Sequence, residues 1–99
     1  MPALIKLLKQ EDVRVCAIEA LGRIGPAAQT ATPGLIERLH DDHACVRSAA
    51  VRALGEIGPG AKAAVPDLKK LQRDPEDYVR RTADEALAAI SRTAPDERR

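Results

Sequence analysis

The side chains that could bind a metal ion are concentrated in one short segment of the sequence. His40, His43 and Cys45 surround Asp41 and Asp42. A zinc site needs three or four such ligands that converge on one point. The corresponding positions elsewhere in the chain hold ordinary surface residues. We therefore expect a solvated turn here and no metal site.

A second candidate is a regular series of arginines, Arg14, Arg47 and Arg80. Such a series could bind phosphate groups. However, Asp41 and Asp74 each lie six residues before one of these arginines, and a guanidinium group suits hydrogen bonds to a carboxylate or carbonyl oxygen in a nearby turn. We therefore interpret the five residues as a structural ladder, and expect Arg47→Ala to lower stability rather than abolish binding.

The sequence contains no motif typical of catalysis. It has no nucleophile elbow, no phosphate-binding glycine loop and no paired-carboxylate site. It has no Trp or Phe and a single Tyr, so the core must consist of small aliphatic side chains that leave no large ligand cavity. The 16 basic and 15 acidic residues give a net charge of +1, which provides no general attraction to nucleic acid or to an anionic membrane. We predict a protein without catalytic activity or cofactor.

The two cysteines and the hydropathy pattern bear on location. Cys16 and Cys45 are too few for a disulfide framework, and we expect free thiols in a reducing cytosol. No apolar run approaches the ~20 residues that a membrane span needs, and no signal peptide opens the chain. These features predict a cytoplasmic protein.

Most of the chain consists of three copies of a unit of about 33 residues. The copies cover about residues 2–32, 33–65 and 66–92, within one predicted domain of residues 1–92. Residues 93–99 are expected to form a disordered tail. The first copy is two residues shorter in the turn between Leu8 and Val13. Five series of residues keep the 33-residue spacing: Val13, Val46, Val79; Arg14, Arg47, Arg80; Ala17, Ala50, Ala83; Leu21, Leu54, Leu87; and Ile24, Ile57, Ile90.

Each unit is predicted to form two helices, called A and B. Helix A begins at a proline, which is favoured in the first helical turn, and leucines three or four residues apart give it one apolar stripe. Helix B follows acidic residues that we predict as N-caps and ends before Gly-Pro. Residues 27–31 and 60–64 are predicted to add one further helical turn. The prolines are Pro2, Pro33 and Pro66, and the predicted N-caps are Asp12, Asp41 or Asp42, and Asp74.

These motifs resemble the HEAT repeat, in the form known as the phycobilisome-lyase HEAT-like repeat. The matching stretches are 46–50 (VRSAA), 53–59 (ALGEIGP) and 65–68 (VPDL), and the resemblance extends over about residues 2–92. It implies an all-α fold, a right-handed α-solenoid of three stacked helix pairs with helix B on the concave face. The sequence departs from the pattern in the first repeat, which lacks the turn aspartate, and at Ser91, where glycine is expected.

The resemblance also implies a function, because most such proteins bind other proteins. We therefore predict a protein-binding scaffold or adaptor. Some relatives are bilin lyases or isomerases, so an accessory subunit of a phycobilin lyase is an alternative. Others bind DNA, which the net charge and the lack of aromatic residues make a weaker alternative.

The remaining face of helix B is the predicted partner-binding surface. Ile18 and Val51 are apolar at positions that the internal stripe does not require, and charges of both signs surround them. An apolar strip rimmed by mixed charge suits a protein partner better than DNA. A solvated, salt-bridged surface is the alternative. The predicted surface comprises Val15, Ile18, Glu19, Arg23, Ser48, Val51, Arg52, Glu56, Arg81, Asp84 and Glu85.

The two ends of the repeat array differ in polarity. The first helix A carries Leu4, Ile5, Leu7 and Leu8, more apolar surface than one neighbour can cover, whereas the third helix A is polar. Terminal repeats need polar outer faces. The N-terminal face is therefore expected to pack against upstream repeats or against a second copy, for which a twofold-symmetric homodimer is the common solution.

Overall fold

The computed structural model describes the backbone of residues 10–92 and the side chains of residues 13–91. No β-strand occurs in this part of the chain, which confirms the all-α prediction. The helix predicted to begin at Pro2 and the tail predicted over residues 93–99 lie outside the described residues. The α-helices are α1 (Gln10–Ile24), α2 (Thr32–Arg38), α3 (Ala44–Ile57), α4 (Val65–Leu71) and α5 (Asp77–Arg92), and 3-10 helices span Gly25–Ala31 and Gly58–Ala64.

Helices α1, α3 and α5 are the B helices of the three repeats, and α2 and α4 are A helices. The B helices pack side by side, with α3 between α1 and α5. Helix α2 packs against α3, and α4 packs against α5. The two 3-10 helices confirm the additional turns that we predicted after the first two B helices.

The core lies where each A helix meets its B helix. On α3 the side chains of Val46, Ala50, Leu54 and Ile57 are fully buried, and their spacing of three or four residues forms one helical stripe. Burying a side chain the size of leucine contributes about 1.5–3 kcal/mol. Each A helix covers the stripe of its own B helix with leucines that are also buried: Leu35 and the following Leu39 for α2, and Leu68 for α4.

The Gly-Pro pairs end α1 and α3 for a conformational reason. Gly25 and Gly58 have φ angles of 75° and 81°, in a region that residues with a side chain rarely adopt. Helices commonly end at such a glycine, and the following proline lacks the N–H needed to continue the helix. The chain then enters the 3-10 helix that leads to the next A helix.

The predicted N-caps are wrong in detail. Helix α3 begins after His43, and the Asp41 carboxylate accepts a hydrogen bond from the His43 N–H at 2.9 Å. Asp74 accepts one from the Glu76 N–H at 2.9 Å. Both aspartates thus close a turn two residues before the helix, as Asp side chains commonly do, and Asp12 lies inside α1.

Replacing Thr32 with valine is expected to raise the free energy of unfolding by about 1 kcal/mol. The Thr32 hydroxyl is buried and has no hydrogen-bond partner among the described residues, so it loses hydration without compensation. Valine has nearly the same shape and occupies the equivalent position of the next repeat, Val65. Urea denaturation would measure the change, with Thr30→Val, an exposed site, as the control. An equal or lower stability for Thr32→Val would contradict this account.

Candidate functional site

Arg47 joins the second repeat to the third. Its Nε and Nη2 atoms donate hydrogen bonds to the two carboxylate oxygens of Asp74, at 2.8 and 3.2 Å. Its Nη1 atom donates to the carbonyl oxygen of Asp41 at 2.8 Å. The guanidinium group therefore holds the turn before its own helix and the aspartate of the following repeat at the same time.

The other two arginines each show part of this pattern. Arg14 lies 3.4 Å from the Asp41 carboxylate of the next repeat. Arg80 donates to the carbonyl oxygen of Asp74 at 2.7 Å and pairs with Asp77 on its own helix at 3.1 Å. In both ion pairs between repeats, the aspartate lies 27 residues after the arginine. In both hydrogen bonds to a carbonyl oxygen, the aspartate lies six residues before the arginine. We refer to these five residues, Arg14, Arg47, Arg80, Asp41 and Asp74, as the Arg–Asp ladder.

The histidines of the candidate metal segment have separate partners. His43 Nδ1 lies 3.2 Å from Asp41, whereas His40 Nε2 lies 3.9 Å from Asp67 on α4. Burial raises the pKa of the Asp41 carboxyl, but hydrogen bonds from His43 and the positive charge of Arg14 outweigh it, so the pKa falls below its ordinary value. Within the described residues, no three His, Cys, Asp or Glu side chains gather as a set of metal ligands.

The predicted apolar strip of the partner-binding surface is wrong. Ile18 and Val51 are only 4% and 0% exposed, and Ser48 is buried as well. Val15 is half-buried against the core. The buried side chains of Ile18, Ser48 and Val51 cannot contact a partner while the helices stay stacked.

The reason is that the next B helix in the stack covers this side of α1 and of α3. Ile18 and Val51 lie four residues before Gly22 and Gly55, on the same side of the helix. A Cβ atom added to Gly55 would lie 3.1 Å from the Ala86 Cα atom on α5, so this side faces the next B helix. On α5 the corresponding position is Asp84, which is exposed.

The remaining residues of the predicted surface are accessible to different degrees. Arg81 pairs with Asp77 on its own helix at 3.3 Å, and Asp84 accepts a hydrogen bond from Gln72 at 2.7 Å. Both lie on the outer side of α5 rather than beside the other B helices. Of the five others, Glu19 is half-buried, and the remaining four are exposed, namely Arg23, Arg52, Glu56 and Glu85.

Two further exposed residues, which our sequence analysis did not assign to this surface, continue the same strip. Cys45 lies seven residues before Arg52, and Tyr78 lies seven residues before Glu85, a spacing that places each pair on one helix face. Both are exposed. The seven-residue spacing in the sequence could therefore have assigned Cys45 and Tyr78 to this face. We define the B-helix face as Glu19, Arg23, Cys45, Arg52, Glu56, Tyr78 and Glu85.

Tyr78 occupies an acidic environment at the start of α5. Partial burial raises the pKa of its hydroxyl, and the nearby Glu76 and Cys45 raise it further. The hydroxyl therefore stays protonated at neutral pH and can donate a hydrogen bond. It is the single aromatic side chain of the sequence.

A groove runs between α3 and α5 on the B-helix face. Its floor consists of Gly55, Ala86 and Ala89, and Arg52 and Glu85 stand at its rim. The cavity has a volume of about 170 Å³, below the ~300 Å³ that is typical of small-molecule sites. It can accept one aliphatic side chain.

Leu4, Ile5, Leu7 and Leu8, the predicted homodimer contacts, precede the described residues. Among the helices that are described, none is both long and apolar enough to cross a bilayer.

Comparison with known proteins identifies the repeat. A family model described as HEAT repeats matches residues 1–88. The match does not extend to the phycobilisome-lyase subtype. Neither a curated protein nor a solved structure matches the chain significantly.

Proposed function

Because the chain belongs to the HEAT repeat family, we propose that it is a non-catalytic module that binds another protein through its B-helix face. HEAT repeats generally serve as scaffolds for protein interactions. The observation that carries the proposal is a set of accessible charges of both signs that form no ion pair with any other residue the structure describes.

The five charged residues of this face are Glu19, Arg23, Arg52, Glu56 and Glu85. None of them forms an ion pair with another described residue. Four of them surround one groove between α1 and α3, yet these four form no ion pair with one another. A partner could therefore form ion pairs with them without first breaking contacts inside the module.

The order of the charges favours a protein partner. From α1 to α5 one row reads Glu19, Arg52, Glu85, and the next reads Arg23, Glu56, Ala89. Nucleic acid would require a surface of one sign. Alternating signs instead select a partner whose own charges alternate in the opposite order, and such complementarity contributes mainly to specificity.

The apolar groove supplies the second element of an interface. Protein interfaces combine a small apolar centre with a polar rim, and tyrosine is enriched in them. Here the centre is the floor of Gly55, Ala86 and Ala89, and Tyr78 lies further along the same face. We expect a partner segment to place one aliphatic side chain on this floor and a carboxylate beside Arg52.

Replacing Arg52 with glutamate is expected to weaken partner binding by about tenfold or more, because it removes an ion pair and opposes the partner's carboxylate. Affinity capture with quantitative mass spectrometry would identify proteins retained by the wild type and lost by Arg52→Glu. Titration calorimetry with the purified partner would then give the change in dissociation constant.

The matched control is Arg73→Glu, which makes the same charge change at an exposed site in the turn after α4. It should leave binding unchanged. Equal retention of every captured protein by Arg52→Glu, Arg73→Glu and the wild type would refute binding through the B-helix face.

A further inference from the structure

Two grooves flank α3 on the B-helix face, and equivalent positions of successive repeats line them. The residues at the rim of the α1–α3 groove are Glu19, Arg23, Arg52 and Glu56. The residues 33 positions later line the α3–α5 groove, and these are Arg52, Glu56, Glu85 and Ala89. The two grooves can therefore be compared position by position.

The α1–α3 groove is covered by a side chain of the module itself. The Glu56 carboxylate reaches across to α1 and lies over Gly22, where an added Cβ atom would collide with it. Gly22 is buried. The charged side chains that line this groove are two glutamates and two arginines, so their charges balance.

The α3–α5 groove lacks such a covering side chain. Ala89 has the position on α5 that Glu56 has on α3, and a methyl group is too short to reach across to the neighbouring helix. Gly55 therefore stays partly exposed, and the cavity of about 170 Å³ above it remains open. The charges that line this groove do not balance, since Arg52 stands against two glutamates, Glu56 and Glu85.

The order of the charges indicates the sign of the missing one. On α1 and α3 the charges of this face alternate along each helix, four residues apart, and again from one helix to the next. Continued onto α5, this alternation places a positive charge at Ala89, beside Glu85 and Glu56. A carboxylate there would meet two charges of its own sign, and a wholly apolar group would desolvate both glutamates without compensation.

We propose that the α3–α5 groove binds a lysine or arginine side chain of the protein partner and thereby selects that partner. Both side chains have a methylene stem that packs on apolar surface while the charged end group reaches a polar environment. The stem would lie on the floor of Gly55, Ala86 and Ala89, and the cation would lie between Glu56 and Glu85. This inference rests on the proposed function, because it names the group that the partner inserts into the B-helix face.

Ala89→Lys supplies the missing cation from the module and tests the site without any partner. It is expected to raise the melting temperature by about 2 °C, and Glu56→Gln in the same chain should remove part of that gain, because the new ammonium group pairs across the groove. The control is Ala88→Lys, at an exposed site four residues after Asp84, which forms a similar pair along the helix only. Its effect should not depend on Glu56. A gain from Ala89→Lys that is equally independent of Glu56 would overturn the proposal.

Peptides selected from a random phage-displayed library on the full chain would test binding directly. The peptides bound at this face are expected to contain lysine or arginine, and replacing that residue with norleucine, which keeps an aliphatic stem without the charge, should weaken binding by about tenfold. Glu56→Gln/Glu85→Gln in the protein should cause a similar loss. The control Glu37→Gln/Asp42→Asn makes the same charge change at two exposed sites away from the B-helix face and should cause none.

The outcomes separate this inference from the proposed function. Peptides that are weakened by Arg52→Glu, yet bind equally well with norleucine or to the Glu56→Gln/Glu85→Gln variant, would overturn the site for a basic side chain and leave the B-helix face as a binding surface. If Arg52→Glu weakens none of the selected peptides, the face itself does not bind them, and both proposals fail.

Discussion

Arg47→Ala is expected to lower the free energy of unfolding by about 3 kcal/mol, because it leaves the buried Asp74 carboxylate without its main counter-charge. Asp74 is 6% exposed, and both of its carboxylate oxygens accept hydrogen bonds from Arg47. The variant also loses the hydrogen bond to the Asp41 carbonyl oxygen. Urea denaturation followed by circular dichroism would measure the change.

Arg80→Ala is the matched control for this prediction. Arg80 has the equivalent position in the third repeat and keeps the carbonyl contact, but its ion pair is with the exposed Asp77. Exposed pairs contribute about 1 kcal/mol or less, so Arg80→Ala should cost much less than Arg47→Ala. Equal losses for the two variants would mean that the inter-repeat bond to Asp74 contributes little.

A double-mutant cycle would isolate the bond itself. Once Asp74 is replaced by asparagine, removing Arg47 should cost less, since no buried charge is left unpaired. The folded fraction of Arg47→Ala should still bind a partner through the B-helix face, because Arg47 lies at the side of α3 away from Arg52. Loss of binding with unchanged stability would instead make the Arg–Asp ladder a binding site.

Gly55→Leu is expected to lower the free energy of unfolding by about 3 kcal/mol through overpacking. A Cβ atom at position 55 would already lie 3.1 and 3.2 Å from the Cα and Cβ atoms of Ala86. Since the first of these is a backbone atom, a larger side chain must push α3 and α5 apart. Thermal and urea denaturation would both report the loss.

Gly34→Leu makes the same change where there is room. A Cβ atom at Gly34 in α2 would meet no heavy atom within 4 Å, and leucine favours helix over glycine by up to ~1 kcal/mol. This variant should be as stable as the wild type or more so. A similar loss in both variants would show that close packing of α3 against α5 is not the reason for the glycine.

Periodic and local features of the fold could be predicted from the sequence. The 33-residue period predicted the repeats, and Gly25-Pro26 and Gly58-Pro59 predicted where α1 and α3 end, because a positive φ and a missing N–H act within one or two residues. Asp41 and Asp74 were predicted as N-caps but instead accept hydrogen bonds from the backbone N–H two residues ahead, since an aspartate can close a turn or cap a helix with the same local sequence.

The exposed surface could not be predicted in the same way. Ile18, Val51 and Asp84 have the same register in their helices, yet the first two are buried and the third is exposed. Burial at this register depends on whether another B helix follows in the stack, which is a property of the assembled repeats. In the sequence, this difference in burial was indicated by the charged Asp84, which stands in the third repeat where the first two have Ile18 and Val51.

The sequence by itself determined that this chain is a HEAT-type stack of helix pairs with a small-residue aliphatic core, because repeat period and apolar spacing are properties of the linear chain. Only the tertiary structure decided which charged residues form the B-helix face and which aspartate each arginine binds. Those features depend on contacts between residues about 30 positions apart, and the same residue types occur at positions with and without such neighbours.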